Sequence, residues 1–258
     1  MDNVLAVKIG GSTLGSQDTT LEDLVVLQAE GTRPIVVHGG GTRIAEWLAR
    51  QGVVSTFHDG LRVTDRETLQ VAVGILGGLV NKELVASLYR LGGKAVGISG
   101  VDGAMCYARI RRPELGYVGE ITGVNTTPLM LLLEKGYIPV VAPICQAPAE
   151  QGAMLLNVNA DEAAGEIAAA CGACKLVFLT NVDGIQNGRG ETIGRTDEHG
   201  ARELLQSGVA SGGMIPKVRA CISALRGIGE ARIIDGRIPH ALHREMTRPV
   251  GGTTIVAG

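Results

Sequence analysis

The sequence predicts an α/β fold organised around a mainly parallel sheet, and three observations carry that expectation. Short apolar runs recur along the whole chain, longer amphipathic stretches separate them, and glycine clusters stand at the ends of the first two runs. The runs are Val4–Ile9, Pro34–His38, Ala95–Ser99, Ile138–Pro143, Lys175–Leu179 and Ala231–Asp235. Read as strands with helical patterns between them, they form βαβ units.

With 258 residues, 45% of them hydrophobic, the chain can bury a sizeable core. Its 24 basic and 26 acidic residues nearly cancel, and no Lys/Arg run or aromatic–basic stripe appears, so a nucleic-acid partner is not expected. Met1-Asp2-Asn3-Val4 enters an apolar strand at once, with no basic leader, cleavage site or apolar run of transmembrane length. The expectation is a cytoplasmic protein without a membrane partner. Of five cysteines the close pair is Cys171-Gly-Ala-Cys174, and no second pair or histidine cluster completes a metal site. Buried or incidental thiols are expected, with no metal held by protein ligands.

The clearest helical pattern begins after Thr64, where Glu67 completes a capping box, and runs toward Leu91 before Gly92-Gly93 stops it. Its length suits a spine or a subunit interface. Between Asp102 and Gly123, Gly- and Tyr-containing segments such as Leu115–Glu120 read as an antiparallel hairpin laid over one sheet edge. No Pro/Ser linker and no repeat is visible, so one domain, 1–258, is expected, with a continuous sheet serving two lobes that divide near Ala153.

Chemistry enters at the strand ends. Lys8 interrupts the first apolar run just before Gly10-Gly11-Ser12-Thr13. The carboxyl end of a buried parallel strand faces the crevice where open α/β sheets bind ligands. A snorkelling lysine is the ordinary reading of Lys8 alone, but residues without Cβ beside it let backbone N–H groups approach an anion. The second strand ends in His38-Gly39-Gly40-Gly41 and leads into a helix from Thr42, a second anion cradle at a helix N-terminus. Neither turn is a P-loop, and no G-x-G-x-x-G follows a strand, which removes the two commonest nucleotide folds.

Arg62, in Gly60-Leu-Arg-Val-Thr-Asp65, can fork onto a carboxylate or lie on the surface. Asn157, Asn159 and Asp161 cluster at an expected helix start; one cap needs one residue, and this segment offers three. In Ser211–Val218, Lys217 stands in the first turn of a helix, against the macrodipole, at a cost of roughly 0.3–1 kcal/mol unless an anion faces it.

Seven collinear motifs closely resemble the amino acid kinase family over nearly the whole chain: Lys8–Gly11, His38–Gly41, Gly60–Asp65, Asn157–Asp161, Asn181–Ile185, Gly213–Lys217 and Ile234–Arg237 with His240–Leu242. Within that family the closest resemblance is to the members that phosphorylate N-acetyl-L-glutamate. The resemblance implies a three-layer α/β/α sandwich around a central, mainly parallel sheet. It also implies an acceptor-binding lobe over 1–152, which holds the dimer interface, and an ATP-binding lobe over 153–258.

By the same resemblance, Lys8 and Lys217 would stabilise the transferring phosphoryl group and Asp161 would orient both. Gly40, Gly41, Arg62, Asn157 and Asn159 would hold the acetylated amino acid, with Arg62 on its α-carboxylate. ATP would lie on Gly10, Gly11, Asn181, Val182, Asp183, Gly184, Ile185, Gln186, Val209, Ala210 and Ser211. A carboxylate acceptor is already ionised near neutral pH, so no general base is needed. The remaining problem is electrostatic, met by lysines, glycine N–H groups and Mg²⁺, the last held mainly by ATP since no Asp-rich ligand cluster is visible.

Asn181 and His243 depart from the family pattern, which often has aspartate and an aliphatic residue there. With the first strand starting three residues after Met1, the resemblance further implies a homodimer built largely on the 65–91 helix and little inhibited by arginine. Two rivals stay open: a kinase of carrier-protein-bound aminoadipate or glutamate, and a non-catalytic nucleotide or amino acid sensor.

Overall fold

The computed structural model describes residues 3–10, 19–152, 154–249 and 251–258. The chain opens with strand β1 (Val4–Ile9), helix α1 (Thr20–Ala29), β2 (Arg33–His38) and α2 (Gly41–Arg50), then a small hairpin of β3 (Phe57–His58) and β4 (Leu61–Arg62). Helix α3 (Arg66–Val73) passes through a π-helical segment, Gly74–Val80, directly into α4 (Asn81–Arg90). Next come β5 (Ala95–Ser99), β6 (Cys106–Ile110), β7 (Val118–Val124), α5 (Thr127–Glu134), β8 (Ile138–Ala142), β9 (Ile144–Gln146) and β10 (Leu155–Val158). The second half holds α6 (Ala160–Cys171), β11 (Lys175–Thr180), β12 (Arg195–Asp197), α7 (Glu198–Gln206), α8 (Met214–Ala224), β13 (Glu230–Asp235), α9 (Ala241–Thr247) and β14 (Thr253–Val256).

All six apolar runs are strands of one eight-stranded sheet, ordered β12-β14-β13-β11-β1-β2-β8-β5. From β5 to β13 every pair is parallel, and β13 meets β14 antiparallel. On one side of β1 lie β2, β8 and β5, on the other β11, β13, β14 and β12, so the chain completes one flank before it builds the other. β1 therefore sits where the direction of winding reverses, and the crevice beyond its carboxyl end is where such sheets take ligands. Successive side chains alternate between faces. Val4 and Ala6 pack with Ala163, Ala164 and Ile167 of α6 and Val218 of α8, whereas Leu5, Val7 and Ile9 pack with Leu24 of α1, Leu48 of α2 and Leu84 of α4. Two cores on opposite faces make the three-layer α/β/α sandwich.

Three expectations are corrected. Asp65, not Thr64, caps the long helix, its Oδ1 accepting from the Thr68 N–H at 2.8 Å. Thr64 is held elsewhere: its backbone pairs with Leu115 and Tyr117, and its hydroxyl donates to the Arg62 carbonyl at 2.9 Å. The segment read as a hairpin does pair antiparallel, as β6 with β7, but instead of lying over a sheet edge it is half of a closed four-stranded barrel, β10-β7-β6-β9. Its other two strands, β9 and β10, are three and four residues long, too short to stand out by periodicity. Finally, Arg66–Arg90 is long and apolar enough for a membrane span, although no such run was expected. Part of its surface belongs to the core, where Ala72, Leu76, Val80, Leu84 and Leu88 are buried.

Candidate active site

Period-two alternation puts Lys8 on the Val4/Ala6 face of β1, the face covered by α6 and α8. Asp161 lies in the first turn of α6 and Lys217 in the first turn of α8, and these two helices pack against each other. The three side chains converge: Lys8 Nζ forms an ion pair with Asp161 Oδ1 at 2.7 Å, and Lys217 Nζ donates to Asp161 Oδ2 at 3.2 Å. Two ammonium groups share one carboxylate, so the cluster carries a net positive charge in a nearly water-free setting. Burial draws Lys8 below its ordinary value, with Asp161 opposing and Lys217 adding to the shift. For Asp161, burial alone would raise the carboxyl, but the Lys8 and Lys217 charges outweigh it and hold the group ionised below its usual range. The conflict between Lys217 and its helix dipole is relieved inside the protein, since Asp161 is the anion before it and the Gly213 carbonyl accepts a second bond at 3.2 Å.

Beside this cluster is a cavity of about 190 Å³ lined by Gly40, Gly41, Phe57, Arg62, Asn157 and Asn159, among others. Arg62 is only 8% exposed, and among the described residues no carboxylate pairs with it. Its guanidinium donates to the Gly41 carbonyl at 2.8 Å and to Ser55 Oγ, and it lies 4.7 Å from the centre of the Phe57 ring. Burial lowers it from its ordinary value, yet a guanidinium stays charged. A buried cation held by neutral groups is a site prepared for an anion. Asn157, on β10, donates to Thr64 Oγ1 at 3.2 Å, which ties the barrel to the β4 end. Asn159 caps α6: its Oδ1 accepts from the N–H groups of Asp161 at 2.8 Å and Glu162 at 3.2 Å. It therefore sets the direction of Asp161 while also lining the cavity.

Gly40 and Gly41 form the turn between β2 and α2. A Cβ at Gly40 would come within 2.6 Å of Leu76 Cδ2, so a larger residue there would have to displace the buried Leu76 side chain of the π-helical segment. Beneath it, His38 is fully buried, and burial pushes its imidazole from the ordinary 6.5 down to about 4. The Lys8 and Lys82 charges act in the same direction. An imidazole depressed in the fold is protonated first in the unfolded chain, so stability falls as pH drops from about 6.5 to about 4 and this contribution is flat below. Denaturant unfolding across that window is expected to show a loss of about 3 kcal/mol that is absent in His38→Asn.

On the other side of β1, residues Asn181 to Gln186 follow the carboxyl end of β11. Asn181, Val182, Asp183 and Gln186 are exposed, while Ile185 is buried and its N–H donates to Thr253 Oγ1 at 2.8 Å. Gly184 has φ 132°, and a Cβ there would meet Thr253 Oγ1 at 2.6 Å, so β14 fixes this loop by close backbone approach. Val209, Ala210 and Ser211 lead into α8, with Ala210 in the core and the Ser211 carbonyl accepting from Met214 N–H at 3.0 Å. Gly10 extends β1 toward the same crevice; Gly11 and Ala153 lie outside the described residues. His243 ties α9 to α1, its N–H donating to Asp23 Oδ2 at 3.1 Å and its ring meeting Glu30 at 3.3 Å.

Ser55, Phe57, Thr64 and Thr253 support these groups, and sequence reasoning missed them. Ser55, Phe57 and Thr253 lie outside the glycine and lysine motifs, while Thr64, inside the Gly60–Asp65 motif, reads in the sequence only as a helix cap.

The sequence profile of the amino acid kinase family matches residues 3–235. The chain is 45% identical over 258 residues to an acetylglutamate kinase of Dehalococcoides mccartyi, covering 99% of this chain and 95% of that protein. It is also 45% identical over 262 residues to the acetylglutamate kinase of a Nostoc species, covering 98% and 87%. A crystal structure of a Streptococcus mutans UA159 protein superposes with a TM-score of 0.86 at 27% identity, both chains covered in full. With a family-wide match, near-full-length relatives and a shared fold, the chain belongs to the amino acid kinase family.

Proposed function

We propose that this protein transfers the γ-phosphoryl group of ATP to the side-chain carboxylate of N-acetyl-L-glutamate, forming N-acetyl-L-glutamyl 5-phosphate in the second step of arginine biosynthesis. The observation that carries the reading is the Lys8–Asp161–Lys217 cluster beside a cavity with an unpaired, buried guanidinium. The full-length identity to acetylglutamate kinases names the acceptor. In this reading the acceptor occupies the cavity, its α-carboxylate on Arg62 and its acetamido group by Asn157, Gly40 and Gly41. A side-chain carboxylate oxygen then attacks the γ-phosphorus, the bond to the β–γ bridging oxygen breaks, and ADP takes the electron pair. Lys8 and Lys217 stabilise the charge on the phosphoryl oxygens during transfer. No proton has to move, since the attacking carboxylate is already ionised and ADP leaves as an anion.

ATP lies along Gly10, Gly11, Asn181 to Gln186 and Val209 to Ser211. Among the described residues no group of three or more carboxylate, histidine or cysteine side chains is arranged to hold a metal, and Asp161 faces lysines on both oxygens. A Mg²⁺ cage made by the protein does not fit these residues, so the ion would enter as part of the ATP complex and would supply charge neutralisation on the phosphates.

Incubation with ATP and Mg²⁺ and trapping of acyl phosphate with hydroxylamine test the reading. Hydroxamate is expected with N-acetyl-L-glutamate and not with glutamate, aspartate or aminoadipate; no product with N-acetyl-L-glutamate would overturn it. Arg62→Ala is expected to raise the acceptor KM by about 10- to 100-fold with the ATP KM unchanged, and Arg62→Lys to recover little because the bidentate fork is lost. Equal KM values for Arg62→Ala and the unaltered enzyme would remove Arg62 from the site.

In the same reading residues 1–152 form the acceptor lobe and 153–258 the ATP lobe of a cytoplasmic homodimer. Val71, Val73, Leu79 and Val85 in Arg66–Arg90 are only partly buried within one chain, which leaves apolar surface for a second copy. A native mass twice 26.8 kDa is expected in solution; a monomeric or hexameric mass would exclude the dimer.

A further inference from the structure

His38 ends β2 immediately before the glycine turn, yet the transfer reaction gives it no task. Both ring nitrogens are engaged: Nδ1 lies 2.9 Å from the Gly39 carbonyl oxygen, and Nε2 lies 3.2 Å from Asn81 Nδ2. A carbonyl oxygen only accepts, so Nδ1 carries the proton and Nε2 is the acceptor. Asn81, itself fully buried, is fixed in the matching orientation. The Lys82 ammonium donates to its Oδ1 at 3.0 Å, and its Nδ2 donates to the Val140 carbonyl at 2.8 Å. A directed chain of hydrogen bonds thus runs from the start of α4, past β8, to the Gly39 carbonyl.

The Gly39 carbonyl shares a planar, trans peptide with the Gly40 N–H, and the two point in opposite directions. Holding one fixes the other. The Gly39 N–H is itself held by the Ile9 carbonyl at 3.0 Å, so the peptide is anchored before and after Gly39. The Gly40 N–H has no protein acceptor among the described residues, and Gly40 lines the cavity beside Arg62. We infer that His38 is a positioning residue for acceptor binding: through the Gly39 carbonyl it aims the Gly40 N–H at the bound acceptor, with Asn81 fixing the tautomer that can do so. The inference rests on the cavity being the acceptor site.

Three variants separate this role from simple core filling. Asparagine places an N–H where Nδ1 stands, glutamine places its amide at the Nε2 position, and leucine offers neither. His38→Gln and His38→Leu are expected to raise the N-acetyl-L-glutamate KM by about tenfold or more while the ATP KM stays within about twofold. His38→Asn is expected to keep the acceptor KM within about threefold of the unaltered enzyme. The Gly40 amide resonance should shift on adding N-acetyl-L-glutamate to the unaltered and Asn proteins and stay in place in the Gln protein. Equal acceptor KM values for the Asn and Gln variants would overturn the inference, as would parallel rises in both substrates' KM. Failure of the unaltered enzyme to turn over N-acetyl-L-glutamate would instead overturn the acceptor reading, so the two failures are distinct.

Discussion

Lys217→Ala is expected to lower kcat by about 10²- to 10³-fold while the acceptor KM stays within about twofold. The ammonium is 15% exposed and anchored at both ends of its reach, on Asp161 Oδ2 and the Gly213 carbonyl, each at 3.2 Å. Neither anchor belongs to the acceptor cavity, so ground-state binding of N-acetyl-L-glutamate does not depend on it. Its effect falls on the charge that spreads over the phosphoryl oxygens during transfer, in a setting where water cannot substitute for a lost cation. Steady-state kinetics with each substrate varied in turn provide the check. A kcat near that of the unaltered enzyme would exclude Lys217 from the transfer step.

Asp161→Asn is the second large effect, and it has two readouts. In rate, the variant loses the group that separates and aims the two ammonium ions, so kcat falls by about 10²-fold or more. In pH dependence, burial is the main influence drawing Lys8 down, and Asp161 is the charge that counters it. Without the carboxylate, Lys8 sheds its proton at lower pH, and the alkaline limb of kcat/KM moves toward neutrality. Removing one partner of a buried pair costs on the order of 3–5 kcal/mol, moderated here because Lys8 can become neutral. For the unaltered protein the sign runs the other way. The Asp161 carboxyl is depressed by the two lysines, so its stabilisation is present above the ordinary value of 3.8 and is lost as pH falls through the lower folded value. An alkaline limb unmoved by Asp161→Asn would show that Lys8 is not the group titrating there.

Much of this molecule is legible without coordinates. Lys8 within an apolar run, the glycine turn after β2, and the capping pattern of Asn159 are local features, and local sequence sets them. The capping of the long helix illustrates the limit. Thr64 and Asp65 are both acceptable caps, and what removes Thr64 is its backbone pairing with Leu115 and Tyr117, residues far along the chain. The support of Arg62 shows the same limit, because Ser55, Phe57 and Gly41 acquire their roles only once the β3–β4 hairpin folds over the α2 turn.

The sequence by itself determined the α/β class, the six apolar strands of the main sheet and the identity of the charged and glycine residues near its carboxyl edge. These follow from periodicity and backbone freedom, which a few adjacent residues specify. The tertiary structure alone decided that β9 and β10 close a barrel and that a π-helical segment presses Leu76 against Gly40, and it supplied the geometry by which Lys8 and Lys217, expected from the resemblance to work with Asp161, share its two oxygens. Those outcomes depend on which face of β1 meets α6 and on how α6 meets α8. Such contacts arise between segments far apart in the chain, and no local pattern encodes them.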